Sequence, residues 1–392
     1  MANREERLAF TMKYNFDIIP SRYNTASIKW DHYPNTDILP MWVADMDFKT
    51  APEVIAELKS QVDFGVMGYT YASSELNKIT VRRLKDYYQW DINEEWLVWL
   101  PGLVPGLNMA CRSAGKDGDK VLVLTPIYPP FLKAPNFARR QKVTQNLQLI
   151  DNEWKVNFNQ FEKTIEEENI KILLFCNPHN PLGKVYNREE LQKINEVCIR
   201  HKVIICSDEI HCDLILNPQK EHTCVASLSK EISEQSITLM SPSKTFNLPG
   251  LCCSFAIIPN AELRQNFIKS GEGFVPHPGI LGYAGCLAAF KHGHAWHQEL
   301  LDYLRLNLSD INNRMKQLPK IKMISPDATY LIWIDTRDLN LTNPGKYFES
   351  KGLGLSDGRI FKGDGFVRLN FGTSRALLEK GLDRFEMAVK SC

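Results

Sequence analysis

The sequence predicts an α/β protein: a mostly parallel sheet covered by helices on both faces, followed by a smaller α+β domain from about residue 291 to 392. Three observations predict it. Short apolar strands alternate with amphipathic helices over most of the chain. Those strands are apolar on both faces, as strands buried from two sides must be. Past residue 290 the alternation gives way to one long helix, two strands, a glycine-rich stretch and a terminal helix.

In order, Pro52 to Ser60 reads as a helix start, with proline at an early position and Glu53 in the first turn. Ser73 to Tyr88 reads as a helix capped by Ser74, with Leu76, Ile79, Leu84 and Tyr87 near helical spacing. Leu97–Leu100 is an apolar strand running into Pro101–Gly102–Leu103–Val104–Pro105–Gly106 and a further helix. Val121–Leu124 is a buried strand ended by Thr125–Pro126, and Lys171–Cys176 is another, ended by Asn177–Pro178. Arg188 to His201 is a helix with Leu191, Ile194, Val197 and Cys198 on one face. Val203–Cys206 is a strand followed by Asp208–Glu209, and Ile237–Met240 is a strand followed by a Ser/Pro/Lys turn. Trp296 to Met315 is a long amphipathic helix, Tyr330–Ile334 and Val367–Phe371 are strands, and a last helix starts at Ser374. Polar residues gather at the C-terminal ends of the strands, the edge at which open α/β sheets bind ligands.

Composition narrows the class. Of 392 residues 44% are apolar and 24% charged, and 47 basic against 46 acidic side chains give a net charge of +1. That balance argues against a general nucleic-acid or anionic-membrane binder, which normally carries a basic excess or patch. No run approaches the 18 or so apolar residues of a membrane span. Met1 to Phe10 holds four charges and no apolar run, so no secretory signal is expected. Ten cysteines sit mostly in apolar segments without a Cys-x-x-Cys pair, which favours reduced thiols and a cytoplasmic location.

The most informative segment is Ser241–Pro–Ser–Lys244–Thr–Phe–Asn–Leu–Pro–Gly250. A lysine directly after a buried strand, near an apolar wall, has a lowered pKa and attacks carbonyls. The hydroxyls of Ser241 and Ser243 suit a phosphate. The plain alternative is a lysine in an exposed turn. Asp208, at a strand end, is either a cap or the acid that keeps a ring nitrogen protonated. Asn177–Pro–His–Asn180–Pro–Leu–Gly183 is a rigid turn or a ligand loop. The backbone amides after Gly102 open a helix and suit a phosphate. Arg368, a lone cation in the apolar strand Phe366–Phe371, must meet a protein acid or a ligand carboxylate. His292, His294 and His297 crowd a helix start, but no carboxylate or cysteine nearby completes the set, and no metal is expected.

Taken together, these residues resemble a pyridoxal-phosphate enzyme of the aspartate-aminotransferase fold, fold type I, over essentially the whole chain. Within it the chain is most similar to the MalY/PatB group of cystathionine β-lyases. The segments that carry this are Leu39–Pro–Met–Trp–Val–Ala–Asp–Met–Asp–Phe48, Gly65–Val–Met–Gly–Tyr–Thr70, Ser207–Asp–Glu–Ile–His–Cys–Asp213, Ser243–Lys–Thr–Phe–Asn247 and Phe366–Val–Arg–Leu–Asn370. The resemblance implies an N-terminal segment 1–45 packed on the small domain, a large cofactor-binding domain 46–290 and a small domain 291–392. It implies that Lys244 binds the cofactor covalently and acts as a catalytic base. Asp208 then pairs with the pyridine nitrogen, Asn180 bonds the phenolic oxygen, Tyr128 stacks on the ring and His211 lies beside it. The phosphate goes to the Gly102 turn, the amides of Leu103 and Val104, Ser241 and Ser243, with Tyr69 reaching in from a second subunit of a homodimer. Arg368 clamps the substrate α-carboxylate, with Asn180, Ala44 and Tyr330 beside it.

Two departures matter. His211 stands where aminotransferases of this fold carry tyrosine, which fits the lyase group. The arginine that many relatives place downstream of the lysine is absent. The expected reaction is α,β-elimination on cystathionine or related cysteine S-conjugates, giving a thiol such as homocysteine, pyruvate and ammonia. The alternatives are an aminotransferase for neutral or aromatic amino acids and a cofactor-binding regulatory protein.

Overall fold

The computed structural model describes residues 13–33 and 37–392, so the expectation for Met1 to Phe10 lies outside the described residues. Seven strands build the large sheet: β1 (Leu97–Leu100), β2 (Lys120–Thr125), β3 (Gln141–Asn146), β4 (Ile170–Cys176), β5 (Ile204–Asp208), β6 (Ser236–Met240) and β7 (Ser254–Ile257). Their spatial order is β1-β7-β6-β5-β4-β2-β3, and β7 alone runs antiparallel to its neighbours.

Side chains alternate across a strand, so each apolar strand feeds two cores. Val121, Val123, Ile172 and Leu174 pack with Leu107, Ala110 and Phe131 on one face. Leu122, Leu124, Leu173 and Phe175 pack with Phe161, Ile165, Leu191 and Ile194 on the other. This is the double coverage that the sequence predicts, and the strands are apolar throughout because neither face meets water.

A second, antiparallel sheet has the order β8-β9-β11-β10: β8 (Lys322–Met323), β9 (Leu331–Asp335), β10 (Ser356–Asp357) and β11 (Phe366–Asn370). Helices His294–Met315 and Arg375–Lys390 supply Leu300, Leu304, Leu382 and Phe385 to the same apolar cluster as Ile332 and Leu369. Tyr14, Phe16, Trp30 and Met41 from the N-terminal segment join that cluster. Leu39–Pro40 pairs in parallel with Leu353–Gly354.

Element ends shift by a residue or two from the sequence reading. Ser73, not Ser74, caps the helix Ser74–Tyr88, its hydroxyl accepting from the Leu76 amide. β5 runs through Ser207 to Asp208, because Asp208 still pairs with Cys176 on one side and Leu239 on the other. Ladder hydrogen bonds, not apolarity, set where a strand stops. Asp208 is therefore a strand residue and caps no helix. The helix predicted from Trp296 begins at His294. Among the described residues no helix is long and apolar enough to cross a membrane.

Candidate active site

The parallel strands end at one edge, and the chain's polar punctuation follows those ends. Pro101–Gly102 follows β1, Tyr128 follows β2, Asn180 follows β4, Asp208 ends β5 and Lys244 follows β6. Backbone bonds tie the loops together: the Tyr128 amide donates to the Asn180 carbonyl at 3.1 Å, and the Asn177 amide to the Asp208 carbonyl at 3.0 Å. Arg368 arrives from β11 of the other sheet. These residues enclose a cavity of about 380 Å³, also lined by Trp42 to Ala44, Leu103, Val104, His211, Ser243, Cys252 and Phe361. That is within the range of small-ligand and cofactor sites.

Burial sets the electrostatics of this cavity. It pushes the Asp208 carboxyl up to about 7, against the lesser pull of the Ile210 amide, which donates to Oδ1 at 3.1 Å, and of the Lys244 charge. It brings the Lys244 amine down to about 8, with Asp45 opposing the fall. It keeps His211 neutral, its pKa lowered to about 3, with Nδ1 buried and unpartnered. It lowers even Arg368 to about 10.

Arg368 donates to Asn180 Oδ1 at 2.9 Å, to the Trp42 carbonyl at 2.9 Å and to Ser356 Oγ at 3.4 Å, and lies over the Phe361 ring. Its Nε has no acceptor, and among the described residues it makes no ion pair. Of the two partners that the sequence allows, a protein acid is thus not supplied. A buried guanidinium without counter-charge is costly, so the site is built for an anion.

Pyridoxal phosphate fits this donor set. Asp208 is a desolvated acid without a permanent cation, in place to meet a protonated ring nitrogen. Lys244 is a desolvated amine facing the same space. The helix Leu103–Ser113 opens at Gly102 without a side-chain cap, so the first amides are left for a phosphate. Asn180 uses its oxygen on Arg368 and has its amide nitrogen left to donate.

Three expected site residues are not brought to the cavity wall of this chain. The Ser241 hydroxyl donates to the Cys253 carbonyl at 2.9 Å and accepts from the Ser243 amide at 3.1 Å, so it shapes the lysine turn. Tyr330 stands one layer back and donates to the Ala44 carbonyl at 3.0 Å, the same oxygen that Lys244 Nζ approaches. Tyr69 is fully exposed. The histidine cluster at residues 292–297 does not converge: His294 meets Tyr87, while buried His297 bonds the Asp213 carbonyl at 2.8 Å.

Sequence reasoning missed the residues that hold the 42–48 loop over the cavity. Asn370 Nδ2 reaches the Val43 and Asp45 carbonyls, and Asn247 Nδ2 reaches those of Met46 and Phe48. Asn370 lies two residues beyond Arg368, on the same face of β11, and that spacing was the available signal. Beneath the loop, buried Asp47 accepts from Lys29 and Trp30, each at 2.8 Å, and from Arg22 at 3.1 Å. Nothing local in the sequence marks that cluster.

Residues 36–385 match the family model for aminotransferase class I and II. Cystathionine beta-lyase PatB of Bacillus subtilis is 37% identical over 396 residues, covering 96% of this chain and 100% of that protein. The crystal structure of OvoB superposes with a TM-score of 0.94 at 43% identity, covering 97% of this chain and 100% of the other. The PLP-bound C-S lyase from Staphylococcus hominis superposes with a TM-score of 0.91 at 30% identity, covering 97% and 99%.

Proposed function

The chain belongs to the aminotransferase class I and II family, and from that premise we infer that it is a pyridoxal-phosphate-dependent carbon–sulfur β-lyase. The observation that carries the reading is the convergence on one cavity of a desolvated lysine, a desolvated acid and an arginine without counter-charge. Two further points favour elimination over transamination. His211 occupies the place of the aminotransferase tyrosine, and relatives at 37% and 30% identity are cystathionine β-lyases.

In this reading Arg368 holds the substrate α-carboxylate by a charge-assisted fork, steered by Asn180 and Ser356. Asp208 would keep a proton on the ring nitrogen, and Asn180 would donate its amide hydrogen to the ring's phenolic oxygen. Tyr128 would pack against the ring, and the amides of Leu103 and Val104 with Ser243 would hold the phosphate. Bound pyridoxal phosphate supplies an electron sink for charge developing at the substrate Cα. The Lys244 amine removes the α-proton, which an amine near pKa 8 does at neutral pH. The thiolate on Cβ then leaves and takes up a proton, and water releases pyruvate and ammonia from the remaining three-carbon unit.

A homodimer belongs to the same proposal. Phe64, Val66, Met67, Tyr69 and Tyr71 are each more than half exposed on one short segment. A second copy would cover them and receive Tyr69 at its phosphate. All ten cysteines among the described residues are free, which supports a reducing, cytoplasmic setting.

The test adds L-cystathionine to the cofactor-loaded protein without any keto acid and follows pyruvate and free thiol. Equal amounts of both are expected. Silence there, with turnover only once a keto acid is added, would transfer the assignment to an aminotransferase. In the same assay Arg368→Ala is expected to raise KM about a hundredfold, since a lost charge-assisted pair is worth roughly 3 kcal/mol. The visible spectrum of the bound cofactor should persist. Loss of cofactor instead would place Arg368 at the phosphate.

A further inference from the structure

A second group of ligating side chains lies behind the cavity, on the segment that leaves β5. Glu209, His222 and Cys224 each offer one ligand atom, and these atoms lie within 4.8 Å of one another. Glu209 and Cys224 are fully buried, and the His222 side chain is 2% exposed. Tetrahedral zinc places its sulfur, nitrogen and oxygen donors roughly 3.3–3.7 Å apart, so side-chain adjustments on the order of 1 Å would close the set. From this geometry we propose that Glu209, His222 and Cys224 form a binding site for a zinc-like divalent cation.

One feature points to a cation. Glu209 is a fully buried carboxylate, yet among the described residues no lysine or arginine pairs with it; its basic partner is His222, with Nε2 at 2.8 Å from Oε2. Its other oxygen is held by the Ser207 hydroxyl at 2.9 Å and the Val225 amide at 3.0 Å, which fixes the carboxylate in place. A metal would take the place of the proton between His222 Nε2 and Glu209 Oε2, and no hydrogen bond at the buried Nδ1 fixes the ring's tautomer against it. The thiol selects the metal. Sulfur with imidazole and carboxylate suits zinc and its neighbours and excludes magnesium and calcium, which take oxygen. Of the three, His222 also lines a polar cleft shared with Tyr88, Cys212 and Asp213.

Binding replaces the Cys224 thiol proton with the metal, so about one proton leaves per ion at neutral pH. The site fixes the far end of the segment whose near end carries Asp208 and His211.

The probe is cobalt(II), titrated into chelator-treated, cofactor-loaded protein. The readout is the long-wavelength ligand-field absorption of tetrahedral cobalt, where the cofactor is transparent. Bound zinc after dialysis and proton release by an indicator dye are measured in parallel. One equivalent per chain is expected, with about one proton released. Cys224→Ser and His222→Gln should each weaken cobalt binding at least about tenfold, while Cys392→Ala, at an exposed thiol remote from the cavity lining, should leave cobalt binding unchanged. An absorption that survives Cys224→Ser, a signal lost in Cys392→Ala, or no bound zinc in the wild type would each overturn the site and leave an ordinary buried acid–histidine pair. Should Cys224→Ser fail to fold, proton release by the wild type decides: none released means that the thiol is not a ligand.

Discussion

Lys244→Ala is expected to fold, to lose at least about 10⁴-fold in turnover, and to lose the absorbance of covalently held cofactor. The size of the effect follows from two jobs resting on one atom. In the proposed reading Nζ is both the nucleophile toward the cofactor and the base for the α-proton, and among the described residues no second amine lines the cavity. Folding survives because the amine contributes little to it. Burial already holds its pKa near 8, and its hydrogen bond goes to the Ala44 carbonyl, which Tyr330 also serves. Visible spectroscopy and pyruvate release with cystathionine measure both outcomes. Elimination that persists in this variant would mean that another group takes the proton.

Asp208→Asn is expected to move stability and activity in opposite directions. In the cofactor-free protein the Asp208 pKa is raised to about 7 from an ordinary carboxylate value of 3.8. Its contribution to stability is fully present below about pH 4 and is lost as pH rises through 7, where a buried carboxylate must ionise without a partner. The asparagine variant lacks that loss. At pH 8 it should therefore be the more stable apoprotein by a few kcal/mol, because each tenfold weakening of the acid on folding costs roughly 1.4 kcal/mol once the group is ionised. Near pH 4 the two proteins should converge. With cofactor the order reverses. A protonated ring nitrogen would be the partner that Asp208 lacks, and removing one side of a buried pair costs about 3–5 kcal/mol, or roughly two to four orders of magnitude in cofactor affinity or rate. Urea unfolding of the apoprotein against pH, set beside cofactor titration, reads both effects. An asparagine variant that unfolds more easily at pH 8 would remove the premise that Asp208 is held at a loss for the sake of its ligand.

The parts of the site that were legible in the sequence are those carried by strand ends. Asp208, Asn180 and Lys244 follow apolar runs too short for helices, and a parallel sheet brings such ends to one edge. Their roles became readable through the order of motifs and the resemblance that it carries. The loop clamps were not legible. Asn247 and Asn370 lie within three residues of the proposed site residues Lys244 and Arg368, but what they hold is a loop some 200 and 325 residues away. Ser241 shows the opposite case: its position suggested a phosphate ligand, and in the structure its hydroxyl bonds the Cys253 carbonyl and the Ser243 amide, off the cavity wall. Glu209, His222 and Cys224 went unread for a related reason, since an acid–histidine–thiol set scattered over 16 residues without regular spacing matches no metal motif.

By itself the sequence determined the fold class, the strands and helices that build it, and which residues are chemically able to act. Strand alternation, caps and turn chemistry are local, and the hydrophobic effect acts on them wherever the chain goes. Only the tertiary structure decided the electrostatics. Whether Asp208 is an ordinary acid or one held near 7, whether Lys244 is an ammonium or close to a free amine, and whether Arg368 finds a protein counter-charge all depend on how completely water is excluded by residues distant in sequence. Desolvation is a property of the assembled cavity, and no stretch of sequence contains it.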